Sequence, residues 1–189
     1  MSDPTPTPLN KKLKRSYLLH YLDVDFNASV SSAASATWKL LGKDVEDMSV
    51  ELNPQTETKK NILDETSTLD NGYEPSVSLD TYYAYPAGST TPDGKLYAKI
   101  KDIMMNRKTG DDCRTLILEV LVDQTGTAFE AWVEEVIVKP QSYGGAQGGV
   151  SIPFNINFDG NRTKGTATYT GLTDPDKAKT ITPTFAVPT

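Results

Sequence analysis

The sequence is poor in the residues that carry most enzyme and metal chemistry. It contains one cysteine, Cys113, and one histidine, His20, in 189 residues. A single cysteine excludes an intramolecular disulfide, and one cysteine with one histidine excludes the usual structural zinc sites. A Cys–His catalytic dyad would require these two residues to meet, and no sequence pattern brings them together. We therefore expect no metal site and no catalytic residue of these kinds.

Motifs for nucleotide or hydrolase chemistry are also missing. The sequence has no Gly-x-Ser-x-Gly, Walker A or dinucleotide-binding pattern, and its glycine pairs do not precede a helical segment. A glycosidase needs only two carboxylates across a cleft, and several glutamates lie on predicted strands. Acidic residues on the exposed or lumen face of a sheet explain these glutamates better. We expect a protein that is not an enzyme and uses no cofactor.

Long apolar runs and an excess of positive charge are absent as well. No stretch approaches the roughly 20 apolar residues of a membrane-spanning helix, so no membrane association is expected. The formal net charge is −6. This charge disfavours tight nucleic-acid binding, which requires Lys and Arg to displace counterions from phosphates. It is compatible with a surface that DNA passes without binding, and also with simple solubility.

The residues that are present form a series of short β-strand patterns. Runs rich in Val, Ile, Thr, Tyr and Phe, bounded by turn residues, predict strands. These runs cover residues 17–24, 37–41, 48–52, 56–62, 77–85, 115–122, 129–138, 150–158, 162–170 and 180–187. The Asp159-Gly160 turn predicts that 150–158 and 162–170 form a hairpin, with the second strand polar on both faces. Strands joined by hairpins favour antiparallel sheets.

One helix is predicted after residue 91. Thr91 can cap it, Pro92 suits its first position, and Asp93 complements the positive end of the helix dipole. An apolar stripe at helical spacing follows, formed by Leu96, Ile100, Ile103 and Met104. Gly110 is predicted as the C′ residue that ends the helix. The stripe indicates that this helix packs on a sheet.

Together these patterns predict a mostly β fold: an antiparallel β-sandwich or half-barrel with one packed α-helix, a long hairpin loop and an N-terminal arm. Residues 1–15 are expected to form a flexible arm, and residues 16–189 a single β domain. A loop at about residues 44–72 is expected to project from this domain. Its predicted strands, 48–52 and 56–62, carry few core-forming side chains and need another surface to pack on.

The order of these parts resembles the tail tube proteins, or major tail proteins, of long-tailed bacteriophages. Four features carry the resemblance. The first is the N-terminal arm, and the second is the polar segment 55–65, QTETKKNILDE, which is similar to a TETK…DE stretch in tail proteins of Gram-positive phages and prophages. The third is a single helix, 93–107, after a Tyr-rich strand. The fourth is the run of strands over 115–170, in which 160–166, GNRTKGT, leads the last strand.

The resemblance implies a structural virion protein, made in the bacterial host cytoplasm and located in the tail. Such proteins form hexameric rings that stack into a tube, and genome DNA passes through the lumen during ejection. Implied partners are other copies of the chain, a tape measure protein, a tail terminator and a distal tail or baseplate protein. Sheet edges, a liability in a monomer, could pair between neighbours in a ring.

The resemblance also suggests which residues meet neighbouring subunits. Inter-ring or assembly contacts are expected at Thr56, Glu57, Thr58, Lys59, Lys60, Asn61, Ile62, Lys11, Lys12 and Arg15. The hairpins 116–138 and 150–170 are expected to line the lumen. The lumen-facing charges are then expected among Glu119, Glu130 and Glu134, because an acidic wall repels DNA and lets it slide.

Two other interpretations stay open. A β-sandwich binding module for carbohydrates or receptors would need an exposed aromatic platform, for which Tyr82, Tyr83, Tyr85, Trp38 and Trp132 are the available residues. Another tail component of similar fold, such as a terminator, would share most of the features above.

Charge reversal tests the lumen assignment. Replacing two of Glu119, Glu130 and Glu134 with Lys is expected to slow DNA passage, because a basic wall attracts phosphates, while tubes stay intact. DNA ejection rates and negative-stain images of the tails measure the two effects. Loss of the tubes would instead identify these residues as interface residues.

Overall fold

The computed structural model describes residues 13–27, 29–42, 45, 48–80, 90–123, 126–145 and 149–187. The described strands are β1 (Leu18–Asp23), β2 (Trp38–Leu40), β3 (Pro54–Lys60), β4 (Thr66–Tyr73), β5 (Ser76–Leu79), β6 (Arg114–Leu121), β7 (Ala128–Pro140), β8 (Phe154–Phe158), β9 (Thr163–Thr168) and β10 (Thr184–Ala186). One α-helix, α1 (Pro92–Asn106), lies between β5 and β6. Short 3-10 turns cover Arg15–Tyr17, Val30–Ser35, Gly110–Cys113 and Pro175–Thr180. Among the described helices, none is long and apolar enough to cross a membrane.

Eight of the strands form one antiparallel sheet that curls into a half-barrel. Its main order is β10-β9-β7-β6-β1-β2, and β7 also pairs with β8, which pairs with β5. The long strand β7 is shared: its first half, from Ala128 to Val133, pairs with β9, and its second half, from Val136 to Pro140, pairs with β8. The predicted mostly β half-barrel with one packed helix is confirmed.

The predicted hairpin between 150–158 and 162–170 is wrong. Strands β8 and β9 both pair with β7, one after the other along its length, and not with each other. The turn between them does contain the predicted glycine, with Gly160 at φ 91° and Asn161 at φ 60°. That turn carries the chain onward along β7 instead of folding it back, because β7 is long enough to accept two partners in series. By contrast, β6 and β7 pair with each other as an antiparallel hairpin, as the predicted hairpin 116–138 requires.

Two apolar cores lie on opposite faces of this sheet, because successive side chains of a strand point to opposite sides. The first core is built around Leu116, Leu118 and Val120 of β6 and includes Tyr21 and Tyr169. The hydroxyls of those two tyrosines lie 3.0 Å apart and satisfy each other. Burial raises the pKa of Tyr21 to about 12, although the Tyr169 hydroxyl lowers it. Both tyrosines therefore stay neutral while the protein is folded.

The second core lies under α1. Thr91 caps the helix by accepting a hydrogen bond from the Gly94 amide at 3.3 Å, and the predicted apolar stripe faces the sheet. The predicted end of the helix is wrong. The helix stops at Asn106, where Arg107 adopts a left-handed conformation at φ 50°. Gly110, the predicted C′ residue, begins the next 3-10 turn instead.

The projecting segment is a hairpin, but its strands differ from the prediction. Residues 48–52 form no strand, although Glu51 makes an isolated bridge to Ser76. Strand β3 pairs with β4, a segment in which no strand was predicted. The pattern could not reveal β4, because Thr66–Tyr73 is exposed on both faces and shows no apolar alternation. We call residues 54–73 the β3–β4 hairpin.

Strand β9 is buried on one face, contrary to the prediction that both of its faces are polar. Gly165, Ala167 and Tyr169 lie on this inner face. A side chain at Gly165 would collide with the ring of Phe185 on β10 and with the Ala186 carbonyl. The small residues Gly165 and Ala167 therefore let β10 approach closely. Because they lack apolar bulk, the sequence pattern did not indicate that they occupy core positions.

Truncation of the helix stripe tests the second core. Ile100 is fully buried, so Ile100→Ala is expected to lower the free energy of unfolding by about 2–5 kcal/mol. Met105 on the same helix is exposed, so Met105→Ala is expected to change it by less than about 0.5 kcal/mol. Urea denaturation of both variants measures the difference. Equal effects would contradict this packing of α1.

Candidate assembly surfaces

A row of polar side chains crosses the sheet on the face that also carries α1. The strand register places Lys164 opposite Trp132, Trp132 opposite Glu119, and Glu119 opposite His20. These residues come from β9, β7, β6 and β1 in turn. All of them point to one side, because directly paired residues of adjacent strands share a face.

Arg162, which precedes β9, ties this row together. Its Nη1 lies 3.1 Å from Oε2 of Glu134, and its Nη2 contacts Oε2 of Glu119. Its guanidinium also lies over the Trp132 ring, 5.6 Å from the centroid. The Nε2 of His20 lies 3.2 Å from Oε1 of Glu119. We call His20, Glu119, Trp132, Glu134 and Arg162 the Arg162 cluster.

The two carboxylates of the cluster are buried, and their pKa values move in opposite directions. Burial alone would raise the pKa of Glu119, but His20 and Arg162 outweigh it and hold that pKa below its ordinary value. Burial also raises the pKa of Glu134, and there Arg162 does not fully offset it. The Arg162 guanidinium thus stabilises the two carboxylate anions unequally. Glu119, which also contacts His20, is the more strongly stabilised of the two.

The three glutamates predicted as lumen charges lie on this same sheet face. Glu119 is 7% and Glu134 is 6% exposed, and both are paired within the chain. Glu130 is exposed and pairs with Lys164. Which of them faces a lumen stays a prediction. Burial does change the expected result of charge reversal, because a lysine at position 119 or 134 would face Arg162 and destabilise the subunit itself.

His20, Trp132 and Arg162 were not predicted as members of a functional cluster. A usable signal was present at His20, a polar residue inside an apolar strand, since a buried polar group requires a partner. Arg162 offered no such signal. Its partners depend on the pairing of β9 with β7, which the predicted β8–β9 hairpin excluded.

The predicted assembly residues of the β3–β4 hairpin are all exposed. They are Thr56, Glu57, Thr58, Lys59, Lys60, Asn61 and Ile62. The ion pairs of this stretch are local, joining Lys59 to Glu57 at 3.3 Å and Lys60 to Asp64 at 2.7 Å. A two-stranded hairpin without a buried face is only marginally stable by itself. This surface is therefore available to another molecule.

The predicted basic contacts near the N-terminus divide into two groups. Lys11 and Lys12 lie outside the described residues. Arg15 is engaged by its own chain, donating hydrogen bonds of 2.7 Å to the carbonyls of Leu18 and Met48. Its part in assembly stays a prediction, but the structure gives Arg15 the task of fixing the segment that leads into the hairpin.

Cys113 and His20 have separate partners. The Cys113 thiol lies 3.3 Å from the carbonyl oxygen of Lys108 and 3.4 Å from the Lys139 ammonium. His20 contacts Glu119 instead. Within the described part of the chain, no group of three or more His, Cys, Asp or Glu side chains could hold a metal ion.

Comparisons with known proteins show a similarity of fold alone. No protein-family model matches the sequence, and no curated protein matches it either. Among solved structures, a chain from the tail of the empty GTA particle, refined with helical C6 symmetry, is similar with a TM-score of 0.50 and 11% identity. The match covers 80% of this chain and 98% of that chain.

Two looser structural matches are also found. The sheath/tube terminator of an extracellular contractile injection system, PVC, in its extended state has a TM-score of 0.46 at 10% identity, over 82% of this chain and 98% of that one. The tube-terminating cap of the anti-feeding prophage has a TM-score of 0.44 at 9% identity, over 82% and 90% of the two chains.

Arg162 stabilises the anion of Glu119 more than that of Glu134. The free energy of unfolding is therefore expected to depend on pH in opposite ways when each glutamate is replaced by glutamine. Because the folded pKa of Glu119 is lowered, its contribution to stability is present above its unfolded pKa and is lost as pH falls through the folded value. Because the folded pKa of Glu134 is raised, its ionisation weakens folding as pH rises from the unfolded value through the raised one.

Urea denaturation of the wild type, Glu119→Gln and Glu134→Gln from about pH 3 to about pH 7 measures this. The stability advantage of the wild type over Glu119→Gln is expected to grow with pH, and its advantage over Glu134→Gln to shrink. Parallel pH profiles for the two variants would contradict the arrangement.

Proposed function

We propose that this chain is a structural subunit of a phage-type tail, and specifically a tail tube protein that forms stacked, hexameric rings. The observation that carries this proposal is the β3–β4 hairpin, which extends from the sheet with both faces exposed. The fold supports it, since the GTA tail chain that shares this fold comes from a particle tail with C6 symmetry.

The edges of the sheet suit a ring. Strands β2 and β10 end the main strand order, and each is three residues long. An edge strand carries backbone donors and acceptors that can pair with another chain. Pairing β2 of one copy with β10 of the next would continue the sheet around a ring, with each copy using one surface of each kind.

We further infer that the sheet face bearing Glu119, Glu130 and Glu134 lines the lumen through which genome DNA passes. Exposed Glu130 would meet water there, and its pairing with Lys164 would keep the wall from holding phosphates. Buried Glu119 and Glu134 would support this face from within. Tape measure, terminator and baseplate proteins are the partners that this role implies.

A carbohydrate-binding module is less well supported by the structure. Trp38 is buried, and Trp132 is partly buried beneath Arg162 and Lys164. Neither ring forms an open stacking platform. The tyrosines Tyr82, Tyr83 and Tyr85 lie outside the described residues.

Negative-stain electron microscopy of the purified full chain tests the tube proposal. We expect rings at low concentration and hollow tubes at high concentration, because head-to-tail contacts that do not close along an axis extend into filaments. A chain that stays monomeric at every concentration, alone and when mixed with tail tips that carry a baseplate, would overturn the proposal.

A hairpin-shortened variant is the matched control for this experiment. Replacing residues 56–71 by a short Gly-Ser link removes exposed residues only, so the thermal melting temperature is expected to change little. Rings are expected to persist while tubes are lost. Unchanged tubes would remove the hairpin from the assembly contacts.

A further inference from the structure

The tip of the β3–β4 hairpin is a locked turn. The Asn61 side-chain oxygen accepts hydrogen bonds from the amides of Leu63 and Glu65, at 2.9 and 3.0 Å. Its side-chain nitrogen donates to the Glu65 carboxylate at 2.8 Å, and the Asp64 amide donates to the Asn61 carbonyl at 3.1 Å. One asparagine thus fixes the whole turn, and a surface fixed in advance loses less entropy on binding.

This locked turn presents apolar side chains to solvent. Ile62 is 100% exposed and Leu63 is 73% exposed. The next two residues, Asp64 and Glu65, are acidic. Two adjacent exposed aliphatic side chains on a rigid projection form a knob suited to an apolar recess, and the acidic pair behind them favours a basic rim.

A groove with an apolar wall and a basic rim lies between the end of α1 and the end of β7. Its volume is about 500 Å³, and its apolar wall includes Ile103, Met104, Pro140 and Tyr143. Tyr143 is exposed, and Met104 is partly exposed. The flexible thioether of a methionine lets such a wall adapt to an inserted side chain.

The rim of the groove is basic. Arg107, Lys108 and Lys139 all contribute to it. Lys108 is paired with Asp102 at 2.8 Å. Arg107 and Lys139 have no carboxylate partner among the described residues, since Lys139 contacts only a backbone carbonyl and the Cys113 thiol. Two cations at this rim are therefore open to acidic groups from outside the chain.

The base of the β3–β4 hairpin and the groove lie at opposite ends of strands β5 and β8. Ser76, which follows the hairpin, pairs with Asn157, whereas Leu79 at the other end of β5 pairs with Phe154. Phe154 in turn pairs with Pro140, which lines the groove. The hairpin base and the groove are thus separated along the strand direction by the length of β5.

We propose that the hairpin tip of one copy inserts Ile62 and Leu63 into this groove of a second copy, with Asp64 and Glu65 against Arg107 and Lys139. The inference rests on the proposed tube function and names its inter-ring socket. Head-to-tail contact between opposite ends of identical chains propagates without closing, as stacking requires. Residues 1–12 are the poorer occupant, because Lys11 and Lys12 share the charge sign of the rim.

Disulfide trapping between two separately made variants tests the socket. Full-length Ile62→Cys is mixed with full-length Tyr143→Cys, so any bond between the two positions joins different copies. The native Cys113 is fully buried and is retained. Ile62→Cys mixed with Ala34→Cys is the matched control, because Ala34 is also exposed but its neighbour Ala33 packs in the first core, on the sheet face opposite to the groove. Peptide mass spectrometry identifies the linked pairs.

The expected result is a 62–143 disulfide in the assembled fraction, with at least about tenfold less 62–34 product, since a specific contact raises the effective concentration of the two thiols. Assemblies that lack the 62–143 bond would overturn the socket and leave the tube proposal standing. Absence of any assembly by the unmodified chain, alone and when mixed with tail tips that carry a baseplate, would overturn the tube proposal and, with it, the socket.

Substitution of the knob provides a second readout. Ile62→Ser with Leu63→Ser is expected to raise the concentration needed for stacking by at least about tenfold, because the apolar insertion is lost. Thr66→Ser with Thr68→Ser, at two exposed positions of β4 in the same hairpin, is the control and is expected to stack normally. Equal stacking by both double variants would overturn the socket while rings and tubes remain.

Discussion

The structure depends on one long strand that is shared by two partners in series. Strand β7 pairs with β6 along one side and with β9 and then β8 along the other. This arrangement places the β9–β10 end and the β8–β5 end of the sheet in one continuous hydrogen-bonded ladder. Because side chains alternate along β7, Phe129, Ala131 and Val133 enter one core, whereas Val136 and Val138 enter the other.

Two cores on opposite faces leave part of each face without a covering layer. On the face that carries α1, the helix packs on β7 and β2, and the Arg162 cluster lies on β1, β6 and β7 beside the start of β9. Charges can be accommodated there because Arg162 pairs with both buried acids and lies over Trp132. A lone carboxylate at either position would be strongly unfavourable in this environment. The cluster therefore lets a polar surface continue directly from an apolar core.

The β3–β4 hairpin follows a different logic. It belongs to no core, and the order of its tip comes from the hydrogen bonds of Asn61 and not from burial. A chain that maintains such an ordered, exposed projection gains stability for it only when another surface covers Ile62 and Leu63. In the proposed assembly, the hairpin and the groove beside α1 are the two surfaces that would meet other copies of the chain.

The amino-acid sequence alone determined the elements whose signals are local. A run of Leu, Ile and Val predicted β6, a turn followed by a second apolar segment predicted β7, and the Thr91-Pro92 start predicted α1. The lack of core-forming residues near 56–62 also predicted the projecting segment, because a segment with so few apolar side chains cannot contribute to a core.

Only the tertiary structure decided which strands are neighbours. Strand β4 has no apolar face, and β9 has Gly165 and Ala167 at its core positions. The side-chain pattern of these two segments therefore does not indicate which residues are buried or which strand lies beside them. The choice between a β8–β9 hairpin and two strands in series on β7 depends on backbone hydrogen bonds, which carry no side-chain signature. The Arg162 cluster follows from that choice, since Arg162 reaches Glu119 and Glu134 only when β9 lies beside β7.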